Sequence, residues 1–107
     1  MYAQITYTGV VTTDTTVDTN ITELTPTVKQ ANRNGIEITN CTAVNLYLAG
    51  CSSLTATTSS LGFTFDATHF DSVLVSGASK TFGSGPGVRW FAFTASSSGN
   101  VRMKELI

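Results

Sequence analysis

The one histidine of the chain, His69, lies between two acidic residues in the segment DATHFDS, residues 66–72. An imidazole beside a carboxylate can act as a general base or help to hold a metal ion. The chain contains no nucleophile motif of the form G-x-S-x-G, which a hydrolase of that type would need. We therefore expect a histidine in a turn that bonds to a carboxylate or faces water. A weak ion site built from Asp66, His69 and Asp71 is the alternative.

Cys41 and Cys51 are the two cysteines, and nine residues separate them. The intervening VNLYL has the pattern of a strand, which rises by about 3.3 Å per residue. A disulfide needs Cα atoms within about 7 Å of each other, so the pair bridges only if the chain reverses direction between them. Zinc sites use about four Cys or His ligands at tighter spacing. We expect two free cysteines that pack as small hydrophobic residues, and neither a metal nor a cofactor.

Three glycines alternate with other residues in GSGPG, residues 83–87. A phosphate-binding loop follows a strand and begins a helix, whereas the apolar run VRWFAFTA that follows here has the pattern of a strand. The segment therefore predicts a hairpin loop, which is either flexible or ordered with glycines at positive φ.

The acidic residues include no pair that stands out as the general acid and base of a glycoside hydrolase. Five of them lie in polar or exposed-face patterns, and we expect those five on the solvated surface. They are Asp14, Asp18, Glu23, Glu37 and Glu105. We therefore expect a protein that is not an enzyme.

Charged residues make up 12% of the 107 residues, and the formal net charge is −1. The six basic residues are scattered, whereas a protein that binds nucleic acid concentrates them in a patch. No apolar run approaches the roughly 20 residues that span a bilayer. The start, MYAQITYTGV, lacks the features of a signal peptide. We expect synthesis and folding in a cytoplasm, with neither nucleic-acid nor membrane partners.

Strand patterns dominate the chain, and helix patterns are nearly absent. About eight short strands separated by Gly- and Ser-rich turns predict an all-β fold of one domain, 1–107. The fold is either an antiparallel β-sandwich or a jelly-roll-like barrel. The run 88–95 is bulky on both faces, which indicates a strand covered on both sides. The clearest runs are residues 2–8, 36–40, 44–49, 61–65, 73–75, 88–95 and 101–106.

The stretch 10–28 is rich in threonine and contains Pro26. Proline cannot donate a hydrogen bond to a central ladder, so the pattern predicts an extended N-terminal arm or an edge strand within residues 1–28. Residues 29–107 would then form the sandwich core. A plain surface loop is the alternative for 10–28.

The order of motifs from residue 35 to residue 106 is GIEITNCTAVNLYLAG, a small-residue segment, GFTFDATHFDSVLV and VRWFAFTASSSGNVRMKEL. This order resembles that of small β-sandwich virion proteins of tailed bacteriophages. In that group a strand ending in Asn leads to V-N-L-Y-L-G-G. A G-F-x-L strand, an aromatic strand, a Ser-Gly turn and V-R-V-x-E-L follow. The present chain departs from the pattern at one glycine, where the turn is Ala49-Gly50-Cys51.

The resemblance implies a capsid decoration or cement protein without enzymatic activity. Such a protein binds the major capsid protein on the outer surface of a phage head, commonly as a homotrimer, and is located on the virion. We expect the arm and the loops 51–60 and 83–87 to supply its contacts. The residues chosen for these contacts from composition and position are Val10, Val11, Thr25, Pro26, Val28, Gly83, Gly85 and Pro86.

Two other functions fit the same sequence. A tail or head-fibre component would have a similar sandwich. A carbohydrate-binding module would need exposed aromatic residues in a line on one face. We expect the dense aromatic residues of the second half in the core, so Tyr7 and Tyr47 are the better candidates for stacking on a ligand.

Overall fold

The computed structural model describes residues 9–25 and 33–107, and the described residues form strands, turns and loops without a helix. Period-two alternation of apolar and polar residues generates most of the strands, because successive side chains of a strand point to opposite faces. The strands are β1 (Val10–Val17), β2 (Thr22–Glu23), β3 (Gly35–Asn40), β4 (Leu46–Cys51), β5 (Ser72–Leu74), β6 (Ser79–Phe82), β7 (Arg89–Thr94) and β8 (Gly99–Leu106).

The strands form two four-stranded antiparallel sheets, with the orders β1-β8-β3-β6 and β2-β7-β4-β5. In these sheets β1 pairs with β8, β2 with β7, β3 with β6 and β4 with β5. These four pairs are the ones that a single long hairpin with its bend between β4 and β5 would make. The additional pairs, β3 with β8 and β4 with β7, arise because this hairpin is wrapped into two facing sheets. An eight-stranded double sheet of this kind is a jelly roll. The predicted all-β antiparallel sandwich is confirmed, and the strand order selects its jelly-roll form.

The main hydrophobic core lies between the two sheets. It includes Ile36 and Ile38 of β3, Leu46 and Leu48 of β4, and Trp90 of β7. The residues between these core positions point to the other face of each sheet. Each sheet therefore presents one apolar face to the other sheet. Val17, Leu24, Leu74, Ala92, Val101 and Met103 complete this cluster.

A second hydrophobic cluster covers the outer face of the β2-β7-β4-β5 sheet. Residues 52–71, here called the covering segment, cross this face and place Ala56, Leu61 and Phe65 against Phe91 of β7. The predicted two-sided burial of the run 88–95 is therefore confirmed. The predicted strand 61–65 is wrong, because this stretch bends at residues 62–63 and forms no strand. Its phenylalanines also separate, since Phe65 is buried whereas Phe63 is 44% exposed.

The first two strands are edge strands, with β1 at the edge of one sheet and β2 at the edge of the other. Val17 and Leu24 are nevertheless fully buried in the main core. The hydrophobic core thus includes residues that precede position 29. Residues 1–8 and 26–28 of the predicted arm lie outside the described residues.

The glycine-rich loop 83–87 crosses from one sheet to the other, because β6 and β7 belong to different sheets. The prediction of a hairpin loop is therefore wrong. Positive φ is also not the reason for these glycines, since the described residues with positive φ are Gly62 and Gly77. The loop is instead held by Arg33, which donates hydrogen bonds to the carbonyl oxygens of Gly85 and Val88.

A buried ion pair lies between Arg33 and Glu105. Arg33 Nη1 donates to Glu105 Oε1 at 2.9 Å, and both side chains are 0% exposed. The prediction that Glu105 lies on the solvated surface is wrong. Its strand alternation places it on the inward face with Val101 and Met103, and the guanidinium of Arg33 compensates the charge.

Candidate functional site

The turn that contains His69 is built around the carboxylate of Asp66. Asp66 Oδ1 accepts hydrogen bonds from the backbone N and the Oγ1 of Thr68, both at 2.9 Å, and lies 2.9 Å from His69 Nδ1. These bonds, that of His69 first, lower the pKa of Asp66 from 3.8 to about 2. The prediction of a turn histidine bonded to a carboxylate is confirmed.

The structure does not join Asp71 to this pair. Asp71 Oδ2 accepts a hydrogen bond from the backbone N of Gly50 at 2.8 Å and so ties the covering segment to β4. The described residues contain no group of three metal-ligating side chains. The two cysteines are free, with Cys41 exposed and Cys51 buried.

Four aromatic rings form a connected row on the outer face of the β2-β7-β4-β5 sheet. Tyr47 of β4 and Phe93 of β7 are direct cross-strand partners, and their rings stack with centroids 4.9 Å apart. Phe65 meets Phe93 edge-on at 4.9 Å, and Phe70 meets Tyr47 edge-on at 5.1 Å. Each edge-on or stacked pair restricts the rings involved. The row is therefore a fixed aromatic surface and not a set of independent rings.

An open depression of about 350 Å³ lies at one end of this row, between the β1–β2 turn and the covering segment. The turn is anchored because Thr94 N donates to Asp18 O at 2.8 Å and Asn20 N donates to Asp18 Oδ1 at 2.8 Å. Apolar and polar side chains both face the depression. Its lining residues are Thr19, Asn20, Ile21, Phe65, Asp66, Ala67 and Phe93.

Exposed apolar side chains are concentrated in the covering segment and at β5. Of the six large hydrophobic residues that are exposed among the described residues, five belong to the stretch 54–75. Leu54 is the most open of them, at 82% exposure. We call this set the apolar surface, and its members are Leu54, Phe63, Phe70, Val73 and Val75.

Arg89 fixes the start of the covering segment to the sheet. Its guanidinium binds Glu23 of the neighbouring strand through Nε at 2.6 Å and Nη2 at 3.1 Å. Its Nη1 donates to the carbonyl oxygens of Ser53, at 3.3 Å, and of Ala56. The hydrogen bonds that Arg89 donates to the Glu23 carboxylate raise the pKa of Arg89. The part of the covering segment that carries Leu54 is thus held by a charged clamp that the sequence pattern did not indicate.

The predicted contact residues of the N-terminal stretch differ in accessibility. Val10 is 55% exposed and Val11 is half-buried, both in β1. Thr25 is 4% exposed, and its hydroxyl donates to Glu23 Oε2 at 2.8 Å. Thr25 therefore offers almost no surface to a partner. Pro26 and Val28 lie outside the described residues.

The predicted contact residues of the glycine-rich loop are partly engaged within the chain. Gly83 is exposed, whereas Gly85 and Pro86 are half-buried. The carbonyl oxygen of Gly85 is already bonded to Arg33. Sequence reasoning missed the apolar surface at Phe70 and Val73, since it placed them in a turn and in a strand without a face assignment.

Comparisons of the chain with protein families, curated proteins and solved structures find no match. Within the part of the chain that the structure describes, no helix is long and apolar enough to cross a membrane.

Proposed function

We propose that the chain is a structural protein of the virion of a tailed bacteriophage, without enzymatic activity. In this proposal it decorates the outer surface of the head, where it binds the major capsid protein and associates into a homotrimer. The observation that carries the proposal is the apolar surface, which has the composition of a protein–protein contact.

The apolar surface lies in a part of the chain that is easily desolvated. Between residues 52 and 75 the charged groups are Asp66 and Asp71, with His69 as the one other titratable side chain. Asp66 and Asp71 are already engaged by hydrogen bonds within the chain. Exposed apolar groups with few charges are typical of the buried centre of an interface, where Lys and Glu are depleted.

The strand β1 offers a second means of association. It is an eight-residue edge strand, and natural proteins usually protect long edges with lysine, proline or a bulge. The charged residue of β1 is Asp14, which is neutralised by Arg102 of β8 through contacts of 2.9 and 3.3 Å. Among the described strands none pairs with this edge of β1, so the edge is suited to pairing with a strand of another subunit.

The jelly roll is compatible with this role but does not specify it. Viral capsid proteins and lectin domains both use the jelly roll, and a fold does not by itself imply a function. The motif order of residues 35–106 resembles that of phage virion proteins, and this resemblance is the reason for proposing a virion protein. A protein that binds only the assembled shell stabilises that shell by its binding free energy.

The oligomeric part of the proposal is tested by measuring the solution mass with size-exclusion chromatography and light scattering at micromolar concentration. We expect a trimer. The variant Leu54→Asp tests the apolar surface, because Leu54 is 82% exposed and its replacement leaves the core intact. Thr81→Asp, in an exposed position of β6 in the other sheet, is the matched control.

The capsid part is tested by co-sedimentation with purified heads, lacking this protein, of the phage that encodes the chain. Wild type and Thr81→Asp should sediment with the heads, and Leu54→Asp should remain in the supernatant. Failure of the wild-type chain to bind the heads would refute the decoration role. If the two variants bound the heads equally well, the contact with the heads would have to lie outside the apolar surface.

A further inference from the structure

We propose that the depression beside Phe93 is a binding site for a neutral saccharide. This inference goes beyond the structural role proposed above, because it assigns a small-molecule ligand to a depression of the same domain. It is carried by the combination of a fixed aromatic floor, a polar rim and a volume suited to a small ligand.

The floor of the depression is apolar and rigid. Phe93 and Phe65 line it together with Ile21. The ring of Phe93 is restrained by stacking on Tyr47 at 4.9 Å and by the edge-on contact with Phe65 at 4.9 Å. A ligand that packs on Phe93 therefore meets a ring whose orientation is already determined, which reduces the entropic cost of binding. A sugar ring has an apolar C–H face that suits such a surface.

The rim supplies hydrogen-bonding groups to match sugar hydroxyls. Asn20 and Thr19 both line the depression; the Asn20 side chain carries two N–H donors and one acceptor oxygen, and the Thr19 side chain carries a hydroxyl. Asp66 uses Oδ1 for its own turn. Among the described residues no donor reaches its Oδ2, so this oxygen can accept a hydrogen bond from a ligand. Small-ligand sites commonly combine an apolar lining with a few polar groups of this kind.

The charge of the rim selects a neutral ligand over an anionic one. The carboxyl of Asp66 is ionised at neutral pH, since even its ordinary pKa of 3.8 lies far below 7 and its hydrogen bonds lower that pKa to about 2. Among the described residues, no Lys or Arg lines the depression. A phosphate or a carboxylate would therefore be repelled, whereas hydroxyl groups can donate to Asp66. The volume of about 350 Å³ lies at the lower end of the range for small-ligand sites, so one sugar ring is the expected occupant.

The test is an NMR titration of the uniformly ¹⁵N-labelled chain with methyl glucoside, methyl galactoside and N-acetylglucosamine, and with glycerol as a polyol without a ring. Titration to about 10 mM fills about nine tenths of a site with a Kd of 1 mM. We expect at least one sugar to shift the amide signals of Asn20, Ile21, Ala67 and Phe93, and glycerol to shift none of them.

Two variants examine the site itself. Ala67→Trp places a large side chain at the exposed rim and should abolish binding, and Ala43→Trp, at an exposed position outside the lining, should not change it. Asn20→Ala removes one hydrogen-bonding side chain and should raise Kd by about threefold to tenfold. Because Asn20 makes its turn contact through the backbone N, this variant remains informative if Ala67→Trp fails to fold.

The inference is overturned if none of the three sugars shifts these signals, or if glycerol shifts them equally. It is also overturned if the folded Ala67→Trp variant or, where that does not fold, Asn20→Ala binds as tightly as wild type. The measurement uses the isolated chain, so its failure leaves the capsid proposal untouched. Conversely, Leu54→Asp should still bind the sugar even if it no longer binds heads.

Discussion

The buried ion pair between Arg33 and Glu105 gives the sharpest prediction about stability. Glu105→Gln preserves the shape of the side chain and removes its charge, so the Arg33 guanidinium is left buried without a counter-ion. Loss of one partner of a buried pair costs about 3–5 kcal/mol. A small domain is stable by only about 5–15 kcal/mol, so we expect a large fall in the free energy of unfolding.

Arg33→Met should cost at least as much as Glu105→Gln. It leaves the carboxylate of Glu105 buried and also removes the donors to the carbonyl oxygens of Gly85 and Val88. An unsatisfied buried acceptor costs about 1–3 kcal/mol. In the double variant no charge remains buried, and we expect a loss of about 2–6 kcal/mol, since the carbonyl oxygens of Gly85 and Val88 each lose a donor. The double variant should thus be more stable than the sum of the single losses predicts.

The assay is urea unfolding followed by the fluorescence of Trp90, which is buried in the main core. The control is Asp14→Asn, which removes a partner of Arg102 on the same strand β8 in a pair that is about half exposed. It should lower stability far less than Glu105→Gln, since water solvates the charge that remains. If the losses of unfolding free energy in the two single variants added up to the loss in the double variant to within about 0.5 kcal/mol, the proposed energetic coupling between Arg33 and Glu105 would be refuted.

Three further predictions concern other parts of the fold. Gly99→Ala should destabilise the domain by about 1–3 kcal/mol in urea unfolding, because the new Cβ would lie 2.9 Å from the side chain of Thr42. Asp66→Asn should lower the thermal midpoint at pH 7. The difference should shrink as the pH falls from 3.8 to about 2, because the folded-state pKa of Asp66 is lowered and its contribution is lost on protonation. A thiol reagent should label Cys41 in the folded protein, and Cys51 only after unfolding.

Each of these has a contradicting outcome. A Gly99→Ala variant as stable as wild type would mean that Thr42 moves aside without loss. A difference between Asp66→Asn and wild type that persists unchanged below pH 2 would show that the carboxylate charge is not its source. Rapid labelling of both cysteines in the folded state would contradict the burial of Cys51, and a Cys41→Ser variant identifies which thiol reacts.

Much of the fold could be predicted from local patterns. Alternation in β3, β4 and β8 identified which residues face inward, and it even grouped Glu105 with Val101 and Met103. The same alternation contradicted the expectation that Glu105 is solvated. A local pattern cannot indicate the burial of this charge, because the residue that compensates it, Arg33, is 72 positions away in the sequence.

The candidate sites could be predicted only in part. The bond between Asp66 and His69 is local, because the two residues are three positions apart in the sequence, and the sequence indicated it. The depression combines residues near position 20, near position 66 and at Phe93. These segments meet only because the covering segment folds over the outer sheet face. That segment has no regular alternation, since contacts with Phe91 and the clamp by Arg89 determine its path.

The all-β class, the approximate strands and the low charge follow from side-chain alternation and composition, and could be predicted before the fold was known. The jelly-roll order of the strands, the burial of Arg33 with Glu105 and the position of the apolar surface became visible only in the folded domain. The physical reason is that these features depend on contacts between residues far apart in the chain. Such contacts are selected by the packing of the whole domain and not by any local preference.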